Sequence, residues 1–185
     1  MAIRVKTPLL PDVVSALKAG DAVLLSGIIY TARDAAHIRM QDTAERGEAL
    51  PFDVRGQVIF YAGPTPASEG RPMGSVGPTT SSRMDFATPL LLSLGLKGMI
   101  GKGMRGPDVI QAMRQYPSVY FAAPGGAAAL MAQSVVSSQT IAYADLGTEA
   151  IMKVIVRDLP LTVAVDCNGN DYYRLGPLSY LNKHD

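Results

Sequence analysis

Apolar residues in this chain follow two alternating spacings, and that alternation outlines its architecture. "AVLLSGIIY" (22–30), "QVIFYAG" (57–63), "KGMIGKG" (97–103) and "SVYFAA" (118–123) are short apolar runs. Runs of this length bounded by Gly or charged residues predict strands buried on both faces. Between them lie segments with helical starts and stops. "PLLPDVVSALKAG" predicts a short helix over residues 8 to 19, ending at Gly20. "TARDAAHIRMQDTAERGE" predicts a helix of about four turns. "RMDFATPLLLSLG" predicts a helix in which Pro89 sits in an early turn or causes a kink. "GPDVIQAMRQY" predicts a helix begun by Pro107, and "GGAAALMAQSV" a helix of small residues. "PTPASEGRPMGSVGPTTSS" reads as loop, with a short strand near Gly74–Gly77. "QTIAYADL", "AIMKVIVRD" and "LTVAVDCNGN" follow as successive strands, the last ending in a tight turn at Asp166–Asn170. Strand–helix alternation that ends in consecutive strands predicts an α/β domain with a mixed sheet. No repeat or linker interrupts it, so residues 1–185 are read as one domain.

Composition adds exclusions. A chain of 185 residues with 18% charged and 48% hydrophobic residues can bury an ordinary core. A formal charge of +1 and the lack of any Lys/Arg run exclude nucleic acid as a general partner. No apolar run approaches the roughly 20 residues of a membrane helix, and the beginning lacks the apolar core of a signal peptide. A cytoplasmic protein with no membrane partner is expected. Cys167 is the chain's one cysteine, and His37 and His184 are its histidines. Alone, these cannot form a disulfide, a zinc site or an iron–sulfur cluster, so any metal is expected on another chain.

Two helix starts are alike. Thr31-Ala32-Arg33-Asp34 and Ser82-Arg83-Met84-Asp85 both have the form of a capping box, with Ser82 the natural cap of its helix. Each places an Arg in a first turn, where the helix dipole disfavours a cation. One reading sends each Arg to solvent beside its acid. The other makes the pair a receptor for carboxylate or phosphate, which the planar guanidinium grips through two hydrogen bonds. Lys102, between glycines after a buried strand, is either an exposed turn lysine or a third cation of that receptor. In "VGPTTSSRMD" (76–85), Gly77 permits close backbone approach and Pro78 fixes the chain ahead of Thr79 and Thr80. A Thr hydroxyl becomes a base only where its surroundings stabilise the alkoxide, as nearby cations would. His37 reads as a helix-face or supporting residue. "APGGAAAL" lacks the spacing of a nucleotide fingerprint and reads as close helix packing.

These elements, in their order, resemble the β-subunit or C-terminal domain of iron–sulfur-dependent hydro-lyases, the class I fumarate hydratase and L(+)-tartrate dehydratase family. "LSGIIYTARDAAHIRM", "IFYAGP", "SVGPTTSSRMD", "MIGKG", "PGGAAAL" and "DLGTEAIMKVIVRDLPLTVAVDCNGN" carry the resemblance over nearly the whole chain. Ser81-Ser82 stands where many fumarases carry Ala-Gly before the Arg, which leaves the motif intact. The resemblance implies a single swivelling β/β/α-type domain with a mixed sheet and flanking helices. It implies a partner α-subunit, in a heterodimer or heterotetramer, that carries a [4Fe-4S] cluster this chain does not hold. It also implies that Arg33, Arg83 and Lys102 bind the carboxylates of a small dicarboxylate substrate, and that Thr79 is the catalytic base. Thr80, His37 and Asp34 would support them. The expected activity is a fumarate hydratase type hydro-lyase, converting fumarate to (S)-malate reversibly and only with the α-subunit. Its alternatives are the β-subunit of L(+)-tartrate dehydratase, making oxaloacetate, and a non-catalytic dicarboxylate-binding or assembly subunit.

Overall fold

The computed structural model describes residues 1–67, 69–123, 126 and 128–181. The strands are β1 (Ile3–Lys6), β2 (Ala22–Thr31), β3 (Val58–Phe60), β4 (Gly98–Gly101), β5 (Val119–Ala122), β6 (Val135–Ala142) and β7 (Ile151–Val165). They form one seven-stranded sheet in the order β1-β2-β3-β4-β5-β7-β6, and β2 also pairs with β7. That extra pairing closes β2, β3, β4, β5 and β7 into a ring. Neighbours from β1 to β5 are parallel, whereas β7 runs antiparallel to β2, β5 and β6. The fold is therefore mixed α/β, with helices flanking the sheet.

The buried runs have the two-faced character their sequences predict. Val58 and Phe60 of β3, Ile100 of β4 and Val119 and Phe121 of β5 enter one apolar cluster. Ile59, Met99 and Tyr120, on the alternate positions, enter a second. The first cluster takes residues from every strand of the ring and from α1 (Pro11–Ala16) and α5 (Ala128–Ala132). The second packs the sheet against α2 (Asp34–Glu45), α3 (Thr88–Ser93) and α4 (Pro107–Gln115). The helical period shows in which residues face it: Ala36 and Met40 from α2, and Val109, Ala112 and Met113 from α4.

Several elements depart from the sequence expectation. The short strand expected near Gly74–Gly77 is absent, and that stretch is loop. The helix expected over "RMDFATPLLLSLG" is split into a 3-10 turn at Ser81–Met84 and α3, which places Pro89 in its first turn. Pro89 fits there because first-turn N–H groups need no partner within the helix. "AIMKVIVRD" and "LTVAVDCNGN" do not form separate strands but both feed β7, whose fifteen residues run through the expected break between them. Asp158 absorbs the irregularity at φ 51, a left-handed conformation that Asp tolerates better than most residues, and its N–H bonds Ser26 Oγ at 2.9 Å. "QTIAYADL" ends β6 and then turns into a 3-10 segment at Ala144–Glu149. β1 and a last helix, α6 (Tyr172–Leu181), were not foreseen. The expected turn after β7 is present: the Asp166 carboxylate accepts the N–H groups of Asn168, Asn170 and Ala19. Pro124, Gly125 and Ala127 of "APGGAAAL", and His184, lie outside the described residues.

Phe121 is wholly buried inside the ring. Phe121→Ala should cost about 3–5 kcal/mol of stability, lost transfer energy plus a cavity, measured by urea unfolding.

Candidate functional site

The candidate residues converge where β2 and β4 end and the 77–84 segment crosses between them. Three backbone hydrogen bonds build the junction. Thr79 N–H donates to Tyr61 O (2.8 Å), just past β3, and Lys102 N–H donates to Thr79 O (3.2 Å). Ser81 N–H donates to Lys102 O (2.9 Å), so Thr80 and Lys102 form a parallel bridge. Thr79 and Lys102, distant in sequence, are thus backbone neighbours. Gly101 is needed here because a Cβ on it would collide with Ser81 Oγ.

Ion pairs join the other two candidates. Asp34, at the start of α2, accepts Arg83 Nε at 2.8 Å on one oxygen and faces Arg33 Nε at 3.4 Å on the other. Arg83 Nη1 reaches Thr79 Oγ1 at 3.4 Å. Arg33 Nη2 also pairs with Glu149 at 3.0 Å, and the close approach of Arg33 to Gly63 leaves a Cβ there only 3.0 Å from Nη1. Arg33, Asp34, Arg83 and Thr79 therefore form one connected chain. Lys102 is exposed, and among the described residues its amine has no ion-pair partner. Thr80, exposed beside it, meets it through the bridge.

Neither expected capping box forms. Thr31 is the last residue of β2, and its buried hydroxyl has no partner. Arg33 occupies the cap position of α2 without a side-chain cap, and Glu149 accepts the Ala35 N–H at 2.9 Å instead. Ser82 lies inside the 3-10 turn rather than before it. Asp85 turns away to accept Arg105 Nε (2.8 Å) and the Gly106 N–H (2.7 Å), so it caps α4. A cap must sit in extended backbone just ahead of its helix, and the sheet ladder and the turn deny both residues that place.

His37 lies beneath the site. It is fully buried, donates its Nδ1–H to the Arg33 carbonyl (3.0 Å), and stands edge-on to Tyr61 with ring centroids 5.2 Å apart. Burial pushes its pKa down to about 4, reinforced by the Arg105 cation and opposed by the Arg33 carbonyl and Asp34. It is thus a neutral ring at neutral pH.

Sequence reasoning missed Glu149 and a buried network around Arg105. The Arg105 side chain is fully buried, bonds Asp85 and Thr88, and lies over the rings of Tyr61 and Tyr120 at 5.3 and 5.1 Å. "MIGKGMRGP" gave no signal for it, since a Gly-flanked Arg reads as exposed. The cluster occupies an open face. Cavities of about 500 Å³, lined by Arg114, Asn170 and Arg174, and about 470 Å³, lined by Ala122 and Tyr172, lie elsewhere.

A model of the Fumarase C-terminus family matches residues 1–176. The chain belongs to this family. It is 39% identical over 152 residues to the aerobic class I fumarate hydratase of Escherichia coli (strain K12), covering 81% of this chain and 28% of that protein. Fumarate hydratase 2 of Leishmania major is 38% identical over 156 residues, covering 83% of this chain and 28% of that protein. The chain thus spans little more than a quarter of the length of these fumarate hydratases. A Methanocaldococcus jannaschii protein provisionally named L(+)-tartrate dehydratase subunit beta is 39% identical over 166 residues, covering 86% of this chain and 85% of that protein. An iron–sulfur cluster needs several thiolates, and one half-buried Cys167 does not supply them; the donor set of this family member does not fit the group. Among the described residues, no helix is long and apolar enough to cross a membrane.

His37 makes stability acid-sensitive with a definite sign. Unfolded, the ring titrates near its ordinary 6.5; folded, near about 4, so the unfolded state binds more protons in between. Stability should be full above the unfolded value and fall by up to about 3 kcal/mol as pH drops through about 4. Urea unfolding across that range should show a shallower pH slope in His37→Gln.

Proposed function

We propose that the chain is the β-subunit of a two-chain class I fumarate hydratase, a hydro-lyase that interconverts fumarate and (S)-malate in the cytoplasm only when joined to an α-subunit. The [4Fe-4S] cluster belongs to that α-subunit, in a heterodimer or heterotetramer, and the steps below concern this chain alone. One observation carries the reading: Arg33 and Arg83 converge on a single carboxylate, Asp34, with the Thr79 hydroxyl 3.4 Å from Arg83. A site that already brings a carboxylate to both guanidinium groups has the geometry to receive another.

In this reading Arg33, Arg83 and the free amine of Lys102 hold the carboxylates of the dicarboxylate. Charge that develops on a carboxylate as the C3 proton leaves is met by cations already in place. Thr79 Oγ1 takes that proton from malate and returns it to C3 during hydration. The Arg83 cation at its side favours the alkoxide form, and a Thr hydroxyl needs such help. Asp34 fixes both arginines, Thr80 supports the Lys102 bridge, and His37 holds the first turn of α2 from below. The open face suits a swivelling domain that closes onto its partner and excludes water only then.

The β-subunit of L(+)-tartrate dehydratase is the second reading. It is favoured by the Methanocaldococcus jannaschii relative, which this chain covers nearly from end to end. The deciding experiment is anaerobic co-expression with the partner chain and assays on malate, fumarate and L-tartrate. Turnover of malate and fumarate above tartrate is expected; the reverse preference selects the second reading. Thr79→Ala should lower kcat by about a hundredfold or more with KM little changed. Undiminished turnover would make the chain a non-catalytic binding or assembly subunit. Arg83→Ala should raise KM by about tenfold or more, and an unchanged KM would remove Arg83 from carboxylate binding.

A further inference from the structure

The Lys102 amine has no side-chain partner among the described residues, so its direction depends on how its backbone is held. Beyond the bonds to Thr79 and Ser81, the next residue is held from two sides. Tyr120 Oη donates to Gly103 O at 2.8 Å, and Gly103 N–H donates to Tyr173 Oη at 3.2 Å. A phenol has one proton, so the 2.8 Å contact between Tyr120 Oη and Ser81 Oγ is made with the serine as donor. The Tyr120 hydroxyl thereby touches both segments of the junction, Ser81 two residues after Thr79 and Gly103 next to Lys102. Its ring is buried under Arg105, and burial raises its pKa, which keeps the donor proton in place. Gly103 has φ 80, a conformation that glycine adopts without strain and few other residues reach.

We propose that Tyr120 is a positioning residue: its hydroxyl straps the Gly103 carbonyl to Ser81 and so fixes the Lys102 amine relative to Thr79. This rests on the carboxylate-binding role proposed above for Lys102. The hydroxyl touches no substrate and acts through the lysine. Without it the Gly103 carbonyl loses its partner and the Lys102 peptide can shift, and displacements of about 1 Å in a site can cost about a hundredfold in rate.

Two measurements test the strap. In the full chain, hydrogen exchange in Tyr120→Phe should accelerate at the Ser81 and Lys102 amides by about tenfold more than at β2 amides. Equal change at both places, or none, overturns the proposal. In the complex with the α-subunit, Tyr120→Phe should lower kcat/KM about tenfold, yet add nothing in a Lys102→Ala background. Full additivity overturns it, because Tyr120 would then act independently of the lysine. Tyr173→Phe, which removes only the surface half of the fixation, should repeat both patterns more weakly; it decides the matter if Tyr120→Phe fails to fold. A wild-type complex inactive on malate, fumarate and tartrate would refute the proposed function instead, and the exchange result alone would then judge the strap.

Discussion

Everything in this molecule depends on β7 pairing on both of its sides. Its first part lies between β2 and β6, and its last residues reach β5. Without that antiparallel strand the parallel set from β2 to β5 would be an open sheet with exposed edges, and one apolar cluster would face water. With it, β2 and β4 are held so that their ends and the crossing 77–84 segment share one rim. The site is a consequence of closure, since none of its elements contains more than a few of its residues.

Electrostatic choices at the rim follow from this geometry. Asp34 and Glu149 act on Arg33 from different parts of the chain, and Asp85 is diverted to Arg105 and the start of α4. The buried Arg105 guanidinium, paired with the half-buried Asp85, is enclosed by Thr88, Tyr61 and Tyr120, which supply the hydrogen bonds and aromatic faces a desolvated guanidinium requires. Buried charge thus lies beneath the site and accessible charge upon it. The network below holds the backbone; the one above is partly exposed.

The central strands were legible because both faces are buried, which writes an uninterrupted apolar run. β1 was not, since among its residues only Val5 is buried. α6 was hidden by Gly176 and Pro177 within it, residues that read as breakers. The break expected between "AIMKVIVRD" and "LTVAVDCNGN" is an irregularity at Asp158 inside one continuing strand. At the site, Arg33 and Arg83 stood out as cations at two similar helix starts, Lys102 as a lysine between glycines after a buried strand, and Thr79 as the hydroxyl following Gly77-Pro78. Their partners did not. Glu149 reaches Ala35 across 114 positions, and no local pattern encodes such a pairing. The capping boxes failed for the same reason: the motif was present, but the ladder had already claimed Thr31.

Asp34 has one more effect. Because it pairs with Arg83 and faces Arg33, the receptor proposed above would carry a tethered competitor for its own ligand. In that role an incoming anion would not fall into a bare positive field; it would enter by ion exchange, sharing or displacing a carboxylate that cannot diffuse away. Such a site trades affinity for reversibility. It would keep both guanidinium groups aligned between occupants, spare them random pairing with solution anions, and let a charged product leave as readily as it came.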